Sequence, residues 1–381
     1  MNNKLTYLTY QTFPAETANS IQSISMIKYF IKNGFKLTLV FPNRSEKSTE
    51  EISELKKFYN FSEDFEIRLL KHNYLFKDYK KKVLFKKFRF NISHFFWAKS
   101  AVKNIIKSDL SDNLFFTRSD WVFYFLTKKN KKVIFECHQV SKIRKFVINS
   151  VKNSSNSKII FTSELLSKEF RLNNNYIVLP NAYDEEFFDK KKNKRKENQI
   201  VFVGNLLRFN SDRNIKFLIK TFQSPKLNKY KLVIVGGPNS YKEELIKSTK
   251  LNNQSNIKIL GQLNREETIN IIEESVAGVL INSSSNKHST HHTSPLKYFE
   301  YLRGGLKILA VDFPSHRDLP FAENILYFEE NNEDSLIKAT ADIPMKEAVS
   351  KEEVEKFSYN SRVHEIMKFI ARLEGFEPPT L

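Results

Sequence analysis

The sequence predicts an α/β protein made of two doubly wound, Rossmann-like parallel sheets, and three observations predict it. Short apolar runs alternate with helix-patterned segments from end to end, the runs fall into two series, and one charged stretch separates the series. The first series is "LTYLTY" (5–10), "KLTLVFP" (36–42), "EIRLLK" (66–71), "LFFTR" (114–118), "KKVIFECH" (131–138), "KIIFTS" (158–163) and "YIVLPN" (176–181). Helical patterns lie between most of them, such as Ile21, Ile24, Ile27 and Phe30, spaced by three. The second series is "IVFVGN" (200–205), "KLVIVGG" (231–237), "IKILG" (257–261), "AGVLIN" (277–282), "LKILAVD" (306–312) and "ILYFE" (325–329). Strand–helix alternation of this kind gives parallel strands with both faces covered.

The stretch "DEEFFDKKKNKRKEN" (184–198) reads as a solvated linker, so the expected domains are 1–183 and 199–373. The last helix of the second is expected to pack back on the first. Open sheets bind ligands beyond the carboxyl ends of their strands, which places the expected site in a cleft between two facing domains.

A chain of 381 residues can bury a sizeable core in each of two or three domains. No stretch reaches the roughly 18 apolar residues that span a bilayer, and "MNNKLTYLTYQTF" lacks a basic region followed by an apolar core. A cytoplasmic location is expected. The single cysteine, Cys137, excludes an internal disulfide and any cysteine-cluster metal site. The net charge of +19 is uneven: residues 1–183 hold 32 Lys and Arg against 15 Asp and Glu, whereas 199–381 hold 24 against 23. Within the first half, residues 71–107 carry eleven Lys and Arg, one acid and nine aromatics. Cations interleaved with aromatic rings suit an anionic membrane surface, so peripheral attachment at the inner membrane face is expected. Nucleic acid would accept the charge as well, but no recognisable nucleic-acid module accompanies it, and no such partner is expected.

One short stretch, "HHTSPLKYFEYLRGG" (291–305), carries unusual chemistry. Ser294 suits an N-cap and Pro295 a first helical position, while Gly304 and Gly305 supply the left-handed residue that ends the helix. Leu296, Phe299 and Glu300 then share one face, which aims a carboxylate at whatever the two apolar residues pack against. Two readings are open. Glu300 pairs with Arg303 or Lys297 at the surface, or it takes a sugar hydroxyl while a phosphate sits on the helix tip.

The ordered set "FTRS" (116–119), "FECH" (135–138), "LPNAYDEEFF" (179–188), "FVGNL" (202–206), "VIVGGP" (233–238), "ILGQL" (259–263), "TSPLKYFEYLRGG" (293–305), "ILAVDFPSHRDL" (308–319) and "EKFSYNSRVHEIM" (355–367) resembles the retaining GT-B glycosyltransferases of family 4. The resemblance implies a C-terminal domain that holds a nucleotide-sugar, UDP- or GDP-linked, and an N-terminal domain that holds a glycan or lipid-linked acceptor in cell-surface polysaccharide synthesis. No metal or other cofactor is implied. By the same resemblance, the helix tip at Ser294, Pro295, Leu296 and Lys297 accepts the diphosphate and Glu300 the ribose. Gly204 brings backbone close to the phosphates, and His138 lies near the transferred sugar.

Three departures from the family pattern matter. Asn205 stands where an arginine is usual, leaving Arg208 and Arg213 to neutralise the departing diphosphate. His292 stands eight positions before Glu300, where a second glutamate usually contacts the sugar. The glycine-rich loop after the first strand is replaced by "YQTFPAETANSIQ" (10–22). His288, His291 and His292 have no nearby carboxylate or cysteine, so a polar loop is expected rather than a metal site. Two rivals remain: a nucleotide-sugar epimerase on the same scaffold, and a catalytically silent sugar- or nucleotide-binding protein. Residues 374–381 are expected to be unfolded, and their deletion should leave the melting temperature unchanged.

Overall fold

The computed structural model describes residues 3–72, 86–190, 194–208, 211–251 and 255–374. The chain divides into two compact units. The first takes in residues up to Thr162, Leu166–Leu179 and the chain from Val363 onward; the second takes in Ser163–Leu165 and Pro180–Arg362.

The first unit holds seven strands: β1 (Lys4–Leu8), β2 (Lys36–Asn43), β3 (Glu66–Lys71), β4 (Leu114–Thr117), β5 (Val133–Cys137), β6 (Ser157–Phe161) and β7 (Tyr176–Val178). Their order is β3-β2-β1-β4-β5-β6-β7, and every pairing is parallel. Leu8, Val40, Phe115, Phe135, Cys137 and Phe161 line one face of this sheet and share a core with Trp97, Val122, Phe123 and Ile148. Cys137 is fully buried there, and burial pushes its thiol up to about 12. It is packing material, as its alternation with His138 predicts.

The second unit holds β8 (Lys196–Val203), a hairpin of β9 (Leu207–Arg208) and β10 (Ser211–Asp212), then β11 (Lys231–Val235), β12 (Ile257–Gly261), β13 (Ser275–Leu280), β14 (Lys307–Val311) and β15 (Ile325–Phe328). Its main sheet runs β12-β11-β8-β13-β14-β15, again all parallel. Alternate residues of β8 feed two cores, Ile200 and Phe202 into one and Val201 and Val203 into the other. That is why "IVFV" reads as a continuous apolar run rather than an alternating one. Chain order reverses between β8 and β13, the switch point where such a sheet leaves a crevice.

The segment read as a solvated linker departs from expectation in its described part. Phe187 and Phe188 are buried in the second unit's core with Tyr183, and β8 begins at Lys196, inside the supposed linker. The charge run masked two aromatics that a solvated segment would not carry side by side. Residues 191–193, the core of the basic run, lie outside the described residues, as do 73–85 of the basic aromatic stretch and 375–381 of the tail.

Candidate functional site

At the carboxyl end of β8 the backbone makes a close approach that only glycine permits. Gly204 donates its N–H to Val235 O at 2.9 Å, Leu206 donates to Gly237 O at 2.8 Å, and a Cβ built on Gly236 would lie 1.7 Å from Gly204 O. Gly236→Ala therefore has to force the two loops apart. Its expected outcome is a loss of at least about 3 kcal/mol in urea unfolding, the scale of severe overpacking; a loss below about 1 kcal/mol would contradict the geometry.

The hairpin that follows delivers two arginines to the switch point. Arg213 donates from Nε to Asn282 Oδ1 at 2.9 Å, from Nη1 to Asn205 O at 3.3 Å and from Nη2 to Ile281 O at 3.4 Å. Arg208 donates from Nη1 to the same Asn282 Oδ1 at 3.2 Å and from Nη2 to Thr293 Oγ1 at 3.5 Å. These three acceptor oxygens are all neutral. Burial first, and then the charge of Arg208, pull its guanidinium down to about 10. Burial also lowers Arg208. Two like charges gathered on one amide and partly stripped of water favour an arriving anion. His316 stays neutral beside them: burial, opposed by the hydrogen bond between its Nδ1 and Val311 O at 2.7 Å, leaves it at about 4.

Thr293 ties this hairpin to the start of the helix Leu296–Arg303. That helix begins one residue later than predicted, and no side chain caps it. Ser294 is otherwise employed, since its Oγ accepts the Asn181 N–H at 3.1 Å and its carbonyl accepts from the Asn181 side-chain amide. Gly305 does supply the left-handed residue at the other end, at φ +69°.

Glu300 is 1% exposed. Its Oε1 meets Arg265 Nη1 at 2.6 Å and its Oε2 meets Lys297 Nζ at 2.6 Å. Burial would raise this carboxyl, but the charges of Arg265 and Lys297 more than cancel that effect and hold it below its ordinary value. Arg303 pairs with Asp189 instead. Lys297 was foreseen from spacing; Arg265 was not, because it comes from a separate helix, Arg265–Glu273, that starts in a capping box of Asn264 and Glu267. The next residue, Tyr301, lies fully buried, and its hydroxyl accepts the N–H of Val203 at 2.8 Å, at the tip of β8. Tyr301→Phe should cost about 1–3 kcal/mol, because a buried strand N–H loses its acceptor. Urea unfolding checks this, and an unchanged midpoint would refute it.

His292 is 4% exposed and donates its N–H to His288 O at 3.1 Å. Asn205 is exposed, while Pro295, Leu296 and Lys297 are half-buried. Asp312 forms a two-bond pair with Arg317 at 2.6 and 2.8 Å.

In the first unit, His138 follows β5 and meets Arg118, which follows β4. Arg118 Nε lies 3.0 Å from Glu136 Oε2, and Arg118 Nη1 donates to Asn19 Oδ1 at 2.7 Å and to Ser23 Oγ at 3.3 Å. Glu136 Oε1 lies 3.3 Å from His138 Nε2. The Arg118 fork is thus occupied by Glu136, Asn19, Ser23 and His138. Tyr7, at 2.9 Å from Ser23 Oγ, completes this polar cluster at the strand ends.

Two all-parallel sheets of this order, one with two arginines at its switch point, define the GT-B fold. Residues 184–364 match the glycosyl transferases group 1. The protein is a glycosyltransferase that transfers a sugar from a nucleotide-sugar. Solved structures agree on the fold. A sucrose-phosphate synthase from Thermosynechococcus elongatus superposes with a TM-score of 0.71 at 14% identity, covering 98% of this chain and 99% of its own. A glycosyltransferase from Rickettsia africae gives 0.68 at 16%, covering 98% and 99%. A pneumococcal O-GlcNAc transferase solved with UDP and GlcNAc gives 0.63 at 10%, covering 97% and 99%. No curated protein sequence matches this one.

Proposed function

We propose that the donor is a UDP- or GDP-linked sugar held at the switch point of the second unit, and that the acceptor is a glycan or lipid-linked glycan of a cell-surface polysaccharide, met at the inner membrane face. The observation that carries the donor assignment is the pair Arg208 and Arg213 converging on Asn282. Their guanidiniums match the planar, bidentate demand of a diphosphate and neutralise it as the glycosidic bond to the sugar breaks. The tip of the helix Leu296–Arg303 supplies backbone N–H groups to the same phosphates, with Ser294, Pro295 and Lys297 around it and Gly204 and Asn205 opposite. Glu300 takes the ribose hydroxyls, His292 borders the sugar where the family usually has a glutamate, and His138 contacts donor or acceptor from the first unit. No metal or other cofactor takes part.

A panel of nucleotide-sugars tests this by thermal shift and donor hydrolysis. One UDP- or GDP-sugar should raise the melting temperature and be turned over, since only a ligand of the folded state stabilises it. Stabilisation without turnover, with or without acceptor, would favour the silent binding protein that His292 and Asn205 suggest. Donor interconversion without acceptor would favour the epimerase.

A further inference from the structure

We propose that the outer face of three helices in the first unit, Lys86–Ile105, Asp120–Lys128 and Lys142–Val151, is a docking surface for an anionic lipid bilayer. The proposal builds on the reading of this protein as one that works at a membrane, but not on the identity of its donor. Among the described residues, the exposed large apolar side chains are Ile21, Phe58, Phe88, Phe96, Phe146, Leu260 and Met345. Three of these seven are phenylalanines of the helices named, exposed by 65%, 48% and 56%.

Ring contacts join Phe96 and Phe146 into one patch. Phe96 meets Phe95 at 5.4 Å between centroids, Phe95 meets Trp121 at 4.8 Å, and Trp121 meets Phe146 at 6.4 Å, so the patch crosses all three helices. Tyr124 lies 6.3 Å from Phe146 and carries Lys128 Nζ over its ring at 5.7 Å.

The charge around these rings selects the occupant. The three helices hold nine Lys and Arg and one acid, Asp120, which is already paired with Arg144 at 2.5 Å. Lys99, Lys103, Lys128 and Lys142 are exposed. A protein interface would be poor in lysine around its aromatic centre. A bilayer with anionic headgroups suits both parts of the surface: rings enter the headgroup boundary while lysines meet phosphates above it. Among the described residues no helix is long and apolar enough to cross a membrane, so attachment through this face would be peripheral.

Phe146 lies well beyond the basic stretch 71–107, so it tests the assembled surface rather than that stretch. The full-length protein should float with vesicles of phosphatidylcholine and phosphatidylglycerol, stay behind with phosphatidylcholine alone, and be released by salt near 0.5 M, where screening is short-ranged (about 4 Å). The double variant Phe96→Ser, Phe146→Ser should lower partitioning about tenfold or more, with its circular dichroism and its stabilisation by nucleotide-sugar unchanged. Wild-type protein that fails to float with the anionic vesicles overturns the proposal. So does a variant that floats equally well, or one whose only change is in oligomeric state, which would mark the face as a protein contact. Flotation without stabilisation by any nucleotide-sugar would defeat the donor reading and leave the surface standing.

Discussion

Arg213→Ala is expected to lower kcat for sugar transfer by about two to three orders of magnitude, with a smaller rise in the donor's KM. The reason lies in when the charge appears. Negative charge grows on the diphosphate as the sugar–oxygen bond breaks, so a guanidinium held in place beforehand stabilises the transition state more than the bound ground state. Arg213 is held by three neutral oxygens, of Asn282, Asn205 and Ile281, and is already weakened as a cation by burial and by Arg208. An anion relieves both strains. Arg213→Lys should recover part of the rate, because it restores a charge but not the fork. Steady-state kinetics of transfer or donor hydrolysis supply the readout. A kcat within about threefold of wild type for the alanine variant, with the fold intact, would remove this residue from the chemistry.

Glu300→Gln should produce two separable losses. Binding of the nucleoside diphosphate, measured by calorimetry, should weaken severely if the carboxylate takes the ribose hydroxyls; an unchanged affinity would end that assignment. Stability should fall by about 3–5 kcal/mol, because Arg265 and Lys297 lose the anion between them while remaining in place. The pH dependence follows from the direction of the shift. Folded Glu300 titrates below its ordinary value of 4.5, so its contribution is fully present above that pH and is lost as pH falls through the lower folded value. Urea unfolding between neutral pH and acid should therefore show a steeper loss in the wild type than in the glutamine variant. Parallel curves would mean that the buried triad contributes no linkage.

Much of the fold was legible because the strands of a doubly wound sheet are buried on both sides. "IVFV", "KLVIV" and "KILAV" are apolar at every position facing either core, and that pattern survives without any tertiary information. The site was legible in pieces. Glu300 and Lys297 are three residues apart on one helix, so their pairing follows from local geometry. Arg265 and Asn282 were not foreseen, because each reaches its partners from a different stretch of chain. Ser294 misled as a cap because Asn181, distant in sequence, takes its hydroxyl. The hairpin that carries Arg208 has strands of two residues each, too short for any periodicity to register.

The sequence by itself determined which segments become strands, that they pair in parallel within two sheets, and which residue types are present to bind an anion and a sugar. Burial on both faces imposes an apolar code on the chain, and that code can be read locally. Only the tertiary structure decided that Arg208 and Arg213 meet on Asn282, that Glu300 is locked between Arg265 and Lys297, and that aromatic rings from three helices form one exposed face. Those are juxtapositions of chemically ordinary side chains. Charge and hydrogen bonding act over a few ångströms of space, and separation along the chain carries no record of which groups will be brought that close.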